Sequence, residues 1–310
     1  MTWFRVRVPA SSANLGPGFD ALGMALDVYL TCRFRQAAEL RICAAGRDAE
    51  AIPSSEENMI WQTAVTVAAS HGCRMPPIEL HIQNEIPIGK GLGSSAAALT
   101  AGVVIADLVL ELGWKPPRIL DEAARLEGHP DNVAPCTLGS IVASAIDSGG
   151  VARAVRLELP KRFGIGIVVP DFDLPTSKAR AVLPAGYSRE DAVFNVQRAS
   201  LLIAALAAGA TWAFPAALDD RFHQPYRIPL VPGLDEILKL RAPGMLGCVL
   251  SGAGPSILVF YERGHENVCD LVRQIFALHG HQSETLHAGI ADRGFELAEE
   301  EYESATNEQE

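Results

Sequence analysis

The chain has 310 residues, of which 48% are hydrophobic and 20% are charged, and its formal net charge is −11. A chain this long exceeds one ordinary hydrophobic core, so we expect two lobes. No Lys/Arg run offers the basic face that nucleic-acid binding requires, so the composition argues against a nucleic-acid partner.

The cysteines and the apolar stretches predict a cytoplasmic protein without a membrane span. The 6 cysteines include no C-x-x-C pair, which favours buried thiols in a reducing compartment over a disulfide scaffold. Residues 1–7 lack the apolar core of a signal peptide. The longest apolar stretch, residues 96–112, is interrupted by Asp107 and Glu111, and we therefore expect a buried helix there.

The first elements are predicted from periodicity and capping. Residues 4–9 alternate apolar and charged side chains, which is typical of a half-exposed strand, and a polar, Gly/Pro-rich loop follows over residues 10–20. Residues 27–35 predict another strand. Ser54 and Glu57 form a capping-box pattern, which predicts that a helix begins there.

The rest of the chain mixes helices and strands without strict alternation. The further predicted elements are a strand over residues 78–82, a helix over 118–126, a strand over 164–169, a helix over 189–208, and strands over 247–250 and 256–261. The long helix over residues 189–208 has Ser188 as its expected N-cap. This order of elements predicts an α+β fold.

A glycine-rich loop that leads into a helix is the central motif of the first half. Gly89, Gly91 and Gly93 allow left-handed backbone conformations, so successive amides can form an anion-binding nest. The following helix adds its free N–H groups, and Ser94 or Ser95 is the expected N-cap. The motif therefore suits a polyphosphate, and the two hydroxyls can bind a phosphate oxygen or Mg²⁺.

Three interpretations of this loop compete. It could be a glycine-rich turn that binds nothing. Gly91, Gly93 and Ala96 also satisfy a dinucleotide-binding pattern, although the preceding strand alternates where a central parallel strand would be apolar throughout. The third interpretation is a nucleoside-triphosphate loop. It is not a Walker A loop, because Lys90 is followed by Gly91 where that motif requires Ser or Thr.

Three motifs, in order along the chain, resemble the signatures of the GHMP kinase superfamily. PASSANLGPGFD over residues 9–20 is similar to the first signature as homoserine kinases carry it, PIGKGLGSSAA over residues 87–97 to the second, and SGAGPS over residues 251–256 to the third. The resemblance spans nearly the whole chain and implies ATP binding. It implies the following ATP-binding residues: Asn58, Pro87, Ile88, Gly89, Lys90, Gly91, Leu92, Gly93, Ser94, Ser95, Ala96 and Ala97.

The resemblance also implies a two-lobed GHMP kinase fold with the active site in the cleft. Residues 1–155 would form an ATP-binding lobe similar to domain 2 of ribosomal protein S5, and residues 156–295 a ferredoxin-like lobe. Residues 296–310 are rich in glutamate with almost nothing apolar, so we expect a disordered acidic tail. A homodimer is usual for the family.

Within the superfamily, the first motif most resembles the homoserine kinases. This implies ATP-dependent phosphorylation of the L-homoserine hydroxyl to O-phospho-L-homoserine, in threonine biosynthesis. L-Homoserine is a small zwitterion whose carboxylate suits a guanidinium fork and whose ammonium suits a carboxylate. The substrate-binding residues implied by the resemblance are Asn14, Asp20, Asn132, Thr176, Arg180 and Arg227.

Each of these residues has a simpler interpretation when taken alone. The resemblance places Asp20 at the ammonium, and Arg180 and Arg227 at the carboxylate. Asn14 and Asp20 could instead shape a turn, and the two arginines could lie on the surface. Their occurrence together, in the order that the family has, favours the binding role.

The resemblance assigns Mg²⁺ to Ser95 and Glu127, whose oxygens suit an octahedral hard cation. Lys90 would help to stabilise the negative charge that develops on the phosphoryl group. The catalytic base is left open. The resemblance places Asn132 near the acceptor hydroxyl, but asparagine cannot take a proton, so the proton would pass to the phosphoryl group itself unless the neighbouring Asp131 accepts it.

Two other functions are compatible with the motifs. One is a GHMP kinase that acts on a different small alcohol, such as a mevalonate-type kinase. The other is a non-catalytic binding protein of the same fold, which the Ser95 and Glu127 metal donors argue against. His129 and the C-terminal histidines lack the spacing of a zinc site.

Overall fold

The computed structural model describes residues 2–158 and 163–300. The strands of these residues are β1 (Trp3–Ala13), β2 (Leu22–Gln36), β3 (Arg41–Gly46), β4 (Ile78–Asn84), β5 (Ile141–Ile146), β6 (Ala152–Leu157), β7 (Phe163–Pro170), β8 (Met245–Leu250), β9 (Ile257–Glu262), β10 (Ser283–Leu286) and β11 (Glu296–Glu300). Their α-helices are α1 (Met59–Ser70), α2 (Ser94–Val109), α3 (Pro116–Glu127), α4 (Val133–Leu138), α5 (Thr176–Ala181), α6 (Arg189–Ala208), α7 (Phe214–Ala217), α8 (Gln224–Arg227), α9 (Leu234–Lys239) and α10 (Val268–Leu278).

The first sheet has the strand order β11-β1-β2-β4-β3, and β5 and β6 extend it from β2. β3 and β4 are parallel, and α1 lies between them in the chain, as a parallel pair requires a crossover. The other pairs are antiparallel. α2 and α4 pack on β1 and β2. Because α2 is buried on nearly all sides, its Ala- and Val-rich sequence suits the centre of this lobe.

The second sheet has the order β10-β7-β9-β8, and all its pairs are antiparallel. If β7, β8, β9 and β10 are renumbered 1 to 4 in chain order, the order of the strands across this sheet is 4-1-3-2. Helices connect the first strand to the second and the third to the fourth, which is a β-α-β-β-α-β arrangement. The predicted ferredoxin-like lobe and the α+β class are therefore confirmed.

The hydrophobic core is continuous between the lobes. One face of the second sheet, including Phe163 and Phe260, packs with Phe214 of α7 and Leu206 of α6 into the cluster that also fills the first lobe. The opposite face forms a second cluster with α9 and α10. Burying each large apolar side chain contributes about 1.5–3 kcal/mol, so the shared cluster holds the two lobes, and the cleft between them, in one arrangement.

The prediction of a disordered acidic tail over residues 296–310 is wrong for Glu296–Glu300. This segment is β11, which pairs with the edge strand β1. Glu300 forms ion pairs with Arg5 and Arg33, which offset the like charges that led us to expect a solvated tail. Residues 301–310 lie outside the described residues. The predicted lobe boundary after residue 155 falls inside β6, which ends at Leu157.

Two predicted helix starts are also wrong. α1 begins at Met59 rather than at the capping box, because the Asn58 carboxamide accepts hydrogen bonds from the N–H groups of Ile60 and Trp61. α2 has Gly93 as its N-cap, with φ 68°, so neither serine caps it. β1 extends through Ala13 and therefore includes part of the predicted first loop.

Candidate active site

A cavity of about 420 Å³ opens between the lobes and is lined by residues of all three motifs. The predicted site residues along its wall are Asn14, Asn58, Pro87, Ile88, Gly89, Lys90, Gly91, Leu92, Gly93, Ser94, Ser95, Ala96, Glu127, Asp131, Asn132, Thr176, Arg180 and Arg227. Ala97 is wholly buried in the core instead. Asp20 reaches the site through its contact with Arg180.

The glycine-rich loop is held by the other two motifs. The Ser251 hydroxyl donates to Gly91 O at 2.8 Å and lies 2.9 Å from the Ser12 hydroxyl. The Ser11 N–H donates to Leu92 O at 3.1 Å. Segments that are far apart in the chain therefore fix a single loop conformation.

Gly91 and Gly93 are required by this packing. Both have positive φ, at 75° and 68°. A Cβ at Gly91 would lie 2.4 Å from Ser251 O, and a Cβ at Gly93 would lie 2.0 Å from the Ser11 hydroxyl oxygen. Because its glycines have no side chains, the loop presents backbone amides to the cavity. It then leads into α2, whose first N–H groups and positive dipole end suit an anion. The residues present therefore fit the phosphates of a nucleotide.

The Mg²⁺ donors predicted by resemblance both line the cavity. Ser95 is the second residue of α2, and Glu127 is the last residue of α3. Burial and the nearby charge of Asp131 raise the pKa of Glu127. Its carboxylate makes no hydrogen bond or ion pair with any residue that the structure describes. A desolvated carboxylate without a partner is costly, so these donors fit a hard divalent cation.

Lys90 points towards the second lobe. Its ammonium donates to Phe172 O at 2.9 Å and pairs with the Asp173 carboxylate at 2.7 Å. This contact joins the glycine-rich loop to the segment that leads into α5, where Thr176 is the first residue. The predicted charge-stabilising role of Lys90 would therefore require its release from Asp173.

The first loop and α5 meet through an ion pair. Both terminal nitrogens of Arg180 contact the Asp20 carboxylate, at 2.7 and 3.3 Å, and the hydrogen bond raises the pKa of Arg180. The Asn14 carboxamide accepts from the Asp20 N–H and donates to Gly252 O. The residues expected at the two ends of the zwitterion therefore pair with each other here. The ion pair is partly exposed, so replacing it by contacts with a ligand costs little free energy.

Arg227 is the most deeply buried charged group of the site, with 1% exposure. Its Nε donates to Ala179 O and one terminal nitrogen donates to Gly252 O. Burial and the charge of Arg180 lower its pKa to about 10. Arg227 forms no ion pair with a carboxylate within the described part of the chain. A buried, unpaired guanidinium that lines a cavity suits a ligand carboxylate.

The side chains of Asp131 and Asn132 both contact other protein side chains. The His129 Nδ1 lies 2.6 Å from the Asp131 carboxylate, and the Ser11 hydroxyl donates to the Asn132 carboxamide oxygen at 2.9 Å. Burial lowers the pKa of His129, but the hydrogen bond and charge of Asp131 outweigh it, and the pKa is raised. Asp20, His129 and Asp131 bring their ligand atoms within 4.8 Å of one another.

Some contacts were missed by sequence reasoning. Asn58, expected near the base, lines the cavity but also caps α1 and donates to Pro53 O. Phe19, a motif residue without an assigned role, lies within 5.8 Å of both Arg180 and Arg227. Asp173 and His129 had no motif to identify them. For His129, its position two residues from Asp131 in a polar break was the available signal.

Family models and named relatives match this chain. The family model for the GHMP kinases N terminal domain matches residues 58–140, and that for GHMP kinases C terminal matches residues 202–274. A protein named homoserine kinase from Solibacter usitatus is 78% identical over 296 residues, which are 96% of this chain and 97% of that protein. One from Deinococcus radiodurans is 46% identical over 84% of this chain and 85% of that protein.

Solved structures show the same architecture. The crystal structure of homoserine kinase from Cytophaga hutchinsonii matches with a TM-score of 0.83 at 28% identity, over 96% of this chain and 97% of that one. The galactokinase of Lactococcus lactis matches with a TM-score of 0.71 at 15% identity over 95% of each chain, which shows a common fold alone. With both family models matched and 78% identity to a relative over nearly its full length, the chain belongs to the GHMP kinase superfamily and, within it, to the homoserine kinase family.

Proposed function

We propose that the chain transfers the γ-phosphoryl group of ATP to the hydroxyl of L-homoserine, forming O-phospho-L-homoserine and ADP in threonine biosynthesis. The observation that carries this proposal is the pair of unsatisfied charges in one cavity. Glu127 needs a cation and Arg227 needs an anion, and the glycine-rich loop lies in the same cavity wall. Mg²⁺ with a nucleotide on one side and an amino-acid carboxylate on the other would satisfy these requirements.

The nucleotide side of the cavity would act mainly through backbone. The amides of residues 91–95 and the N-terminus of α2 would hold the phosphates, and Ser95 and Glu127 would hold Mg²⁺. Mg²⁺ would supply charge stabilisation to the phosphoryl group. Phosphoryl transfer needs little covalent help from protein, so fixed donors and positioning carry most of the catalysis.

The amino-acid side would act through side chains. Arg227 and Arg180 would bind the substrate carboxylate and Asp20 the ammonium, so the substrate would replace part of the Asp20–Arg180 ion pair. Asn14 and Thr176 would complete the binding site. Each hydrogen bond to a charged group contributes about 1.5–3 kcal/mol, enough to distinguish a carboxylated amino acid from a sugar.

We propose that no protein side chain acts as the base and that the hydroxyl proton passes to the phosphoryl group. Two observations support this. Asn132, the expected neighbour of the hydroxyl, accepts a hydrogen bond from Ser11 and cannot take a proton. Asp131, the rival candidate, already contacts His129 at 2.6 Å. Asp131 as the base is therefore the alternative that mutation should test.

A homodimer and a cytoplasmic location belong to the same proposal. By length and composition alone α6 could span a membrane, with mean hydropathy 1.2, but its first turn carries Glu190 and Asp191. Its outer face exposes Val193, Val196 and Leu201, which a second copy of the chain would cover. Sedimentation equilibrium should show a dimer that Val196→Glu converts to monomer. A monomeric wild-type chain would contradict this.

The experiment that tests the activity is ADP release measured by a coupled assay with ATP and Mg²⁺. L-Homoserine, mevalonate, galactose and water are compared as acceptors. Turnover that depends on L-homoserine is expected. Turnover with another alcohol would keep the nucleotide site and discard the roles of Arg180 and Arg227. Tight ATP binding without turnover of any acceptor would favour a non-catalytic binding protein.

A further inference from the structure

A buried hydrogen-bond chain stands behind Arg227. His223, which directly precedes α8, has no exposed surface; its ring nitrogens form two hydrogen bonds, and Nε2 also lies 3.5 Å from the Asp220 carboxylate. Nε2 lies 2.7 Å from Gly16 O, in the first motif, and Nδ1 lies 2.9 Å from a terminal nitrogen of Arg227. The Phe19 ring stacks on the imidazole at 5.4 Å between centroids. The imidazole therefore bridges the first motif and Arg227.

The partners determine the tautomer of the ring. Gly16 O can only accept, so Nε2 carries the proton and donates it. The guanidinium can only donate, so Nδ1 of His223 is the acceptor. Burial lowers the pKa of His223, the nearby Asp220 carboxylate opposes this shift and the charge of Arg227 adds to it; the net shift is downward, so the ring is neutral. A protonated ring would lose the acceptor and face the guanidinium with a like charge.

The backbone around the ring is held by Asp220. Its carboxylate accepts hydrogen bonds from the N–H groups of Phe222, His223 and Gln224, at 2.8, 3.0 and 2.7 Å. These contacts fix the start of α8, and Arg227 follows one helical turn after His223. The ring and the guanidinium are therefore placed by the same rigid turn.

We propose that His223 is a positioning residue for substrate recognition, whose Nδ1 acceptor orients the Arg227 guanidinium towards the amino-acid carboxylate. Ala179 O in α5 and Gly252 O in the third motif accept hydrogen bonds from the same guanidinium. Of the hydrogen bonds among the described residues, none uses the second terminal nitrogen of Arg227, which stays available to the cavity. This inference rests on the proposed function, because it presupposes that Arg227 binds the carboxylate.

Two substitutions of His223 each remove one hydrogen bond of the ring and can keep the other. His223→Gln can keep a donor near Nε2 for Gly16 O but loses the acceptor near Nδ1, and His223→Asn can keep an acceptor near Nδ1 but loses the donor. His223→Gln should raise the KM for L-homoserine about tenfold, since the lost bond involves a charged group. His223→Asn should raise it by less than about threefold. His287→Gln, at an exposed histidine, is the matched control.

The acceptor 3-aminopropan-1-ol distinguishes positioning from a structural role, because it is L-homoserine without the carboxylate. His223→Gln should change kcat/KM for this alcohol, and the KM for ATP, by less than about twofold, because neither involves Arg227. On an Arg227→Lys background, His223→Gln should add little further loss, because both changes act on one interaction. Thermal unfolding of each variant is measured in parallel.

Three patterns of loss would overturn the inference. They are equal losses for both acceptors, a raised KM for ATP, or His223→Asn failing as badly as His223→Gln while still folded. A wild-type chain that does not phosphorylate L-homoserine would instead contradict the proposed function itself. If wild-type turnover is present and both variants match it, the proposed function stands and only the role of His223 falls.

Discussion

The two halves of the cavity are built in different ways. The half proposed for the nucleotide is lined by a continuous segment, residues 87–96, whose glycines expose backbone to the cavity. The amino-acid half is assembled from side chains of separate segments, among them Asp20, Arg180 and Arg227. Arg180 and Asp20 are 160 residues apart in the chain. A backbone site can be recognised as a motif, whereas a side-chain site exists only after folding.

The halves also differ in the charge they present. The nucleotide half contains the half-buried Glu127 carboxylate, and the amino-acid half contains the fully buried Arg227 guanidinium. Neither has an ion-pair partner in the described residues. Buried charges without partners are expensive, so each half is arranged for a ligand of opposite sign. Mutations in one half should therefore affect one substrate and spare the other.

The largest effect is expected for Gly91→Ala in the nucleotide half. The added Cβ would lie 2.4 Å from Ser251 O, so the loop must move and misplace its amides. We expect kcat/KM for ATP to fall about 100-fold or more in steady-state assays, as for the loss of an oxyanion donor. Gly113→Ala is the control, because it has a similar φ of 70° but open space around it. Similar activities of the two variants would contradict the packing argument.

Glu127→Gln should separate stability from function. We expect the apparent affinity for Mg²⁺ to fall about 10–100-fold, measured by titrating Mg²⁺ in the kinase assay and by calorimetry with the nucleotide. Because burial raises the pKa of Glu127, its ionised form is costly in the fold, so the same variant should have a higher Tm without Mg²⁺. Glu56→Gln, at an exposed site, should change neither quantity. Unchanged Mg²⁺ dependence would remove Glu127 from the metal site.

Arg227→Lys should affect only the amino-acid half. Lysine keeps the charge but loses the planar fork, so we expect kcat/KM for L-homoserine to fall about 30-fold, with the KM for ATP unchanged. Arg41→Lys, on the exposed surface, is the control. If the KM for ATP rose as much as that for L-homoserine, the division of the cavity into two halves would be wrong.

The smallest effect is expected for Asp131→Asn, which lies between the halves. If the proton passes to the phosphoryl group, kcat should fall less than about tenfold and its pH profile should not shift. The reason for a small loss is that asparagine keeps the size of the side chain but weakens its contact with His129. Measured kcat values across the neutral pH range test this. A loss of about 10²–10⁴-fold would identify Asp131 as the base.

Local sequence determined the elements whose contacts lie within a few residues. α6 spans Arg189–Ala208 as predicted, because the Ser188 hydroxyl accepts from the Asp191 N–H at 3.0 Å. The glycine-rich loop was recognised for the same reason, since its amides and the α2 N-terminus are consecutive. Two local signals were present at the start of α1, the capping box at Ser54 and the Asn58 side chain, and Asn58 is the residue that caps the helix.

Tertiary structure decided what depends on partners distant in the chain. β11 has an acidic sequence typical of a solvated tail, but it pairs with β1 along its whole length, and Glu300 also forms ion pairs with Arg5 and Arg33. Similarly, no pattern near His223 indicates that Gly16 fixes its tautomer from 207 residues away. The sequence by itself determined the fold class, the phosphate loop and the family resemblance. The pairing of buried charges was decided by folding, because the energy of a charge depends on what surrounds it in space.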